Sequence, residues 1–310
     1  MSHAEPLPRP MTEGGSKEAE MASGDLSTAL LAEHRRHVVD VAYRILGDRS
    51  AAEDVVQDAW LQLHNRDLSD VRNPRGYLTT VVSRLALDEL RSARMRRERY
   101  VGPWLPEPVV TEHAPDPADR VTLDESVSLA LLAVLERLSP AERTSLVLHD
   151  VFGMSFDEIA TVVGRTDAAC RQLAARARRH VRAAAPRYTA DRAGHDQAVR
   201  AFAAAMENGD LERLVAVLDQ DVVWRADGGG KAPANRRVLV GAEIVARLVV
   251  GLKRTRYRDR RLEPAVVNAG LGLVSRKDGH VVAVYGFTVA AGRNTEIDIV
   301  TNPDKLGRAR

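Results

Sequence analysis

A chain of 310 residues is long enough for about two ordinary domains, each able to bury its own core. Its 45 Lys and Arg against 43 Asp and Glu leave a net charge of +2, so a nucleic-acid partner requires basic residues segregated along the chain. The lack of any run of about 18 apolar residues argues against a spanning helix or a membrane role, and the single cysteine, Cys170, excludes an internal disulfide and fits a reducing cytoplasm.

Residues 1–24 lack the apolar core of a signal peptide and read as a disordered tail. From Leu26 to Leu46 the spacing of Leu31, His34, Val38, Val41 and Ile45 predicts an amphipathic helix that Gly47 ends. Ser50 and Glu53 have the spacing of a capping box. They predict a second helix that buries Ala52, Val55, Val56, Ala59, Trp60 and Leu63, with Asp54, Gln57, Asp58 and Leu61 on its outer face. Acids grouped on one side around an exposed leucine suit either an ordinary wet face or docking to a basic partner.

Asn73 followed by Pro74 starts a helix that reaches about Arg97. Leu78, Val82 and Leu85 form its packing stripe. Tyr77, Val81, Arg84, Asp88 and Arg91 share another side, where Asp88 is placed to pair with both arginines. The end of this helix is strongly basic, with Arg94, Arg96 and Arg97. Five prolines between Tyr100 and Arg120 forbid helix and predict an extended linker, in which Trp104 and Leu105 suggest docking rather than spacing alone. Boxes at Thr122 with Glu125 and Ser139 with Glu142 open helices that stack Leu131, Leu132, Leu135 and Leu138, then Leu146, Val147 and Val151.

The box of Ser155 with Glu158 opens the helix of Phe156, Ile159, Ala160 and Val163, which Gly164 stops. Thr166 caps a second helix with Cys170, Ala174, Ala177 and Val181 on one face, which predicts a buried, unreactive Cys170. Around its other faces stand Arg171, Gln172, Arg176, Arg178, Arg179 and Arg182. A short turn between two helices, the second basic, suits insertion into a major groove with phosphate clamping behind.

The chain from Leu26 to Arg182 resembles the extracytoplasmic-function group of bacterial sigma factors, two helical domains joined by a flexible linker. That resemblance assigns AEDVVQDAW, residues 52–60, to contact with the β′ clamp helices of core RNA polymerase through Asp54, Gln57 and Asp58, with Leu61 beside them. It also implies contact with β. The segment from Tyr77 to Arg91 resembles the part that opens and reads the minus-ten element of promoter DNA, and the helix-turn-helix the part that reads the minus-thirty-five element. Leu85, Ala168 and Ala169 depart from common family residues, which bears on the promoter sequence read rather than on the role. YVGPWLPEP, residues 100–108, and AACRQL, residues 168–173, resemble the subgroup that carries a SnoaL-like domain at its C-terminus.

Beyond Pro186 the pattern changes to helices at Asp196–Asn208, Asp210–Leu218 and Gly241–Leu252, and strands at Asp221–Arg225, Leu262–Val267, Gly270–Ser275, His280–Thr288 and Thr295–Val300. This predicts an α+β domain, similar to the SnoaL-like cone, in which a curved sheet wraps helices around a pocket. The expected division is 25–99, a linker at 100–120, 121–186, a tether at 187–194, and 195–310. Two motifs resemble those of the subgroup. Asp227, Gly228, Gly229, Gly230 and Lys231 form one, and Asn302, Pro303, Asp304, Lys305 and Leu306 the other. No helix with Ser or Thr after the lysine completes a phosphate loop in the first. Both resemble subgroup motifs and neither looks like core, so both are read as contact surface toward the helical domains. Asp227, Asp298 and Glu296 are the acids a catalytic reading would use, but nothing in the sequence marks one as desolvated, and no enzyme, cofactor or metal is expected. The pocket leaves room for an unidentified small molecule. The alternatives are a ligand-sensing helix-turn-helix regulator that acts alone, and a SnoaL-like enzyme with a DNA-binding leader.

Overall fold

The computed structural model describes residues 32–64, 66, 71–97, 100–111, 129–184, 192–255, 258, 260–268 and 270–307, with the side chains of 94–97, 130, 184 and 261 outside that set. The 1–24 segment and the Thr122–Glu125 box lie outside the described residues.

Helix α1 (32–46) buries Val38, Val41 and Ile45 and ends at Gly47 in the left-handed conformation, φ 69°. Helix α2 (Arg49–Leu63) is capped by Asp48, whose side chain accepts from the Ala51 amide, and not by the expected Ser50–Glu53 box. The box is displaced because Glu107, 57 positions ahead of Ser50, brings its carboxylate onto the amides of Arg49 (2.6 Å) and Ser50 (3.0 Å). Glu53 meets Arg49 instead, at 3.5 Å. Asn73 caps α3 (Pro74–Arg97) by accepting from the Gly76 amide at 3.0 Å. The deeply buried stripe of α3 is Leu78, Val82, Ala86 and Leu90, with Leu85 half-buried, because the periodicity follows 3.6 residues rather than Leu85's apolarity.

After the linker come α4 (Leu129–Leu135), α5 (Pro140–Leu146), a π turn (Val147–Val151), α6 (Phe156–Val163) and α7 (Asp167–Ala184). The boxes at Ser139 with Glu142 and Ser155 with Glu158 both form. Leu131 and Val151, expected in the stack, are exposed. In α4 the core takes Leu129, Leu132 and Leu135, and the π turn rotates Val151 outward. Cys170 is buried, and burial pushes its thiol pKa up.

The C-terminal half contains α8 (Arg192–Asn208), α9 (Leu211–Val217), β2 (Leu218–Asp227), β3 (Leu239–Val240), α10 (Ala242–Thr255), β4 (Arg261–Val267), β5 (Gly270–Lys277), β6 (His280–Ala290), β7 (Arg293–Val300) and α11 (Pro303–Leu306). Helix α8 begins at Arg192 rather than Asp196, and β2 runs straight out of α9 rather than starting at Asp221. The sheet has the order β1-β4-β5-β6-β7-β2-β3, and its strand pairs are antiparallel except β2 with β7. Its first member, β1 (Val110–Thr111), belongs to the linker: Val110 pairs with Val267 and Thr111 with Val266. The prolines allow this, since their constraint is against helix and not against an edge strand.

The sheet has two apolar faces. One packs Leu273, Tyr285, Phe287, Ile297 and Ile299 against Phe202 of α8 and Val245 and Val249 of α10. The other carries Ala265, Val267, Val274, Val284 and Val300, and receives Leu105 from the linker, Leu129 from α4 and Leu306 from α11. A two-faced α+β cone wrapped on helices results, and its second face is closed by the helical half of the same chain. Among the described residues no helix is long and apolar enough to cross a membrane, and no cluster of His, Cys, Asp and Glu suits a metal ion.

Candidate nucleic-acid interface and the buried linker

The helix-turn-helix is α6, Gly164 at φ 72° and α7, with Thr166 accepting from the Ala169 amide at 3.2 Å. Arg171, Gln172, Arg176 and Arg179 are exposed, and Arg178 half-buried. Three of these arginines are engaged within the helical half: Arg171 with Asp167 at 2.9 Å, Arg176 with Glu142 at 3.3 Å, and Arg178 with Asp150 at 2.7 Å. Exposed pairs of this kind are worth about 0–1 kcal/mol, so they orient side chains without withholding them from a phosphate.

On α3, Tyr77 is half-buried and Asp88 pairs with Arg91 at 2.9 Å. Asp88 was expected to reach Arg84 as well. Arg84 instead donates through Nε (3.1 Å) and a terminal nitrogen (2.9 Å) to the Thr161 carbonyl in the last turn of α6. Cations favour helix C-termini, where carbonyls lack intrahelical partners. The side chains of Arg94, Arg96 and Arg97 lie outside the described set. On α2 the outer face is as read: Asp54, Gln57 and Asp58 are exposed, and Leu61 is 58% exposed.

The two helical segments touch directly. One apolar cluster runs from Val38, Ile45, Val56 and Leu87 into Leu132, Leu148, Ile159 and Cys170. Arg143 of α5, 1% exposed, donates to Glu136 and to the Arg44 carbonyl in α1.

The connection between them is not a slack spacer, because Leu105, Pro106, Glu107 and Pro108 are consecutive buried residues. Asp227, 0% exposed, anchors it. Its carboxylate accepts from the Tyr100 hydroxyl (2.6 Å), the Leu105 amide (2.9 Å), the Gly229 amide (3.0 Å) and Lys305 Nζ (2.8 Å). Lys305 also donates to the Leu105 carbonyl and stands 3.8 Å over the Trp104 ring, a cation–π contact. Asn302 donates to the Tyr100 oxygen at 2.9 Å. Burial, reinforced by Asp227, pushes the Tyr100 phenol far above its ordinary pKa, so it stays a donor.

The glycine triplet shapes this joint. Gly229 has φ 60°, and a Cβ there would lie 2.4 Å from the Asn302 amide nitrogen, so the loop seats the C-terminal motif rather than a phosphate. Not every residue of the two motifs faces the helical half, however. Lys231 and Asp304 pair with each other at 2.5 Å on the surface, Pro303 is exposed, and Gly230 contacts Val101.

Farther along, Asn268 joins three segments: its side-chain amide donates to Tyr43 of α1 (2.8 Å), its oxygen accepts from the Val109 amide (3.2 Å), and its backbone amide donates to the Val109 carbonyl (2.7 Å). Its φ of 55° is one that asparagine tolerates better than most residues. Tyr43 in turn donates to the Glu107 carbonyl at 3.0 Å. Opposite Asp298 on β6 stands Gly286, where a Cβ would come within 2.7 Å of a Leu129 methyl, so its lack of a side chain lets α4 lie on the sheet. Tyr43, Tyr100, Glu107, Leu129, Asn268 and Gly286 carry no sequence signal as joint residues except one: a lone acid among the prolines of YVGPWLPEP is conspicuous.

Asp298 and Glu296 both bind Arg225, at 2.6 and 2.5 Å. Burial raises the Asp298 pKa while Arg225 opposes the rise.

Residues 30–96 match the family model described as Sigma-70 region 2, and residues 128–181 the one described as Sigma-70, region 4. The chain is 42% identical over 289 residues to the ECF RNA polymerase sigma factor SigJ of Mycobacterium tuberculosis, an overlap of 88% of this chain and 90% of that one. It is 36% identical over 297 residues to the Probable ECF RNA polymerase sigma factor SigI of the same species, covering 94% and 98%. The crystal structure of the Mycobacterium tuberculosis extracytoplasmic function sigma factor SigJ superposes with a TM-score of 0.71 at 38% identity, over 90% of this chain and 98% of that one.

Proposed function

The chain belongs to the extracytoplasmic-function RNA polymerase sigma factors, which direct promoter-specific initiation by RNA polymerase, and we propose that its own C-terminal half holds it in a closed form. The observation that carries this reading is the buried linker, fixed at Asp227 and extended into the sheet as an edge strand. The proposed division follows the sequence: 25–99 and 121–186 read DNA and bind polymerase, and 195–310 restrains them.

The minus-ten and minus-thirty-five elements lie about 25 base pairs apart, or ~85 Å at ~34–36 Å per 10–10.5 base pairs. Helix α3, which would read the first, is in contact through Arg84 with Thr161 of α6, the first helix of the helix-turn-helix that would read the second. Both elements are therefore out of simultaneous reach until the helical segments separate, and separation requires the linker to leave its seat. Burying one leucine stabilises by about 1.5–3 kcal/mol, so Leu105 and Leu129 alone oppose that release substantially.

In the open form the exposed face of Asp54, Gln57, Asp58 and Leu61 meets the β′ clamp helices. Helix α3 works at the minus-ten element, and Arg171 and Gln172 reach base edges in the minus-thirty-five element. Arg176, Arg178 and Arg179 reach phosphates. The protein acts by binding rather than catalysis, in the cytoplasm. Asp227, Asp298 and Glu296 each form an ion pair, which favours a binding role for these acids over a general-base role.

The test is run-off transcription with purified core polymerase, in which specific transcripts must require both proteins. Within that assay the division of roles in α7 makes a distinct prediction. Arg176→Ala should weaken promoter binding uniformly and reduce the salt slope by about one unit. Arg171→Ala should change sequence preference instead. Identical promoter profiles for the two variants would contradict the assignment.

A further inference from the structure

A cavity of about 1530 Å³ opens between the helix-packed face of the sheet and α10. Ligand sites generally span ~300–1,000 Å³, so it has room for a ligand of ordinary size. Its apolar lining includes Trp224, Ala226, Leu248, Leu252 and Ile299. Among the described residues its ionisable lining is Lys231, Arg236, Arg260, Arg276 and His280, with no aspartate or glutamate. Lys231 and Arg276 also meet Asp304 and Glu263 outside this lining, in partly exposed pairs that water screens.

Trp224 supplies an independent observation. It is 1% exposed, and its indole N–H has no acceptor among the described residues. A buried donor without an acceptor is destabilising, and an oxygen of a bound molecule would relieve it.

One wall of the cavity is the linker itself, at Val101 and Gly102. Gly102, at φ 89°, lies against the backbone of Arg236, and Val101 packs on Gly230. The loop that carries cavity cations is therefore the loop on which the linker rests.

We propose that this cavity binds an amphipathic carboxylate, its head taken by the Trp224 indole N–H and the arginines and its chain laid along Leu248, Leu252 and Ile299, and that the occupant strengthens the closed form. The second half rests on the restraint reading above. A molecule that touches Val101 and Gly102 gains those contacts only while the linker is docked, so it binds the closed state more tightly and shifts the population toward it. Linkage then requires the converse, that opening the linker weakens the ligand by the same factor.

The experiment is calorimetric titration of the full-length protein with decanoate, and with 1-decanol as the neutral probe of the same length. Decanoate should bind at least about tenfold more tightly than decanol, because a charge-assisted hydrogen bond outweighs a neutral one. Arg260→Gln, Arg236→Gln and Trp224→Phe should each weaken decanoate severalfold while thermal unfolding of the variant shows it folded. Asp227→Asn, outside the cavity lining, should weaken decanoate about tenfold by opening the linker, and decanoate should lower run-off transcription by the wild-type protein. Absence of decanoate binding, or equal affinity for decanol, overturns the site and leaves the restraint reading standing on its own tests. Equal decanoate affinity in the wild type and Asp227→Asn overturns the coupling.

Discussion

Asp227→Asn in the full-length chain is expected to free the linker and raise core-dependent transcription above the wild-type level. The substitution keeps the shape and one oxygen but leaves Lys305, itself buried, without its anionic partner. Removing one member of a buried pair costs about 3–5 kcal/mol. Since each ~1.4 kcal/mol is tenfold, the docked-to-free ratio should fall by at least about a hundredfold. Amide exchange across residues 100–111 should quicken in step, while exchange in β5 and β6 stays slow, which separates release of the linker from unfolding of the sheet. Unchanged exchange in the linker would remove Asp227 as its anchor.

Reversal of Asp54 and Asp58 to lysine should abolish holoenzyme assembly with helical content intact. Both side chains are exposed and Ala52, Val55, Val56 and Ala59 hold the opposite face of α2 in the core, so the fold does not depend on them. Two like charges set against a basic surface cost several kcal/mol, enough to take affinity down by about a hundredfold or more. Co-purification of the double variant with core polymerase at the wild-type yield would contradict the assignment of this face.

What the sequence made legible is local, and what it hid is distant. Ser155, Glu158 and Gly164 mark α6 within ten residues of one another, and the structure forms the box and the left-handed turn they imply. The α+β order of the C-terminal half follows from periodicity. Ser50 and Glu53 have the same local signature as the boxes that form, yet Glu107 overrides them from 57 positions away. Arg84 has Asp88 one turn along its own helix but binds Thr161, 77 positions distant. Val110 and Thr111 carry no alternation long enough to announce a strand, and pair because Val266 and Val267 present an open edge. Each of these three misses is a contact between segments far apart in the chain, for which neither propensity nor spacing leaves a trace. The joint around Asp227 is made almost wholly of such contacts, so the stretch from Tyr100 and the two later motifs stand out in the sequence as unusual residues while the contacts that unite them through Tyr100 do not.

The proposed role of the C-terminal half is to restrain the transcription factor to which it is fused. Its most direct test compares three chains in core-dependent run-off transcription: full length, one ending before Asn302, and one ending at Ala190. The first truncation removes Asn302, Lys305 and Leu306 from the joint, and the second removes the sheet that seats the linker. Restraint requires more transcript from at least one truncation than from the full-length chain. Equal transcript from all three, or most from the full-length chain, would contradict it.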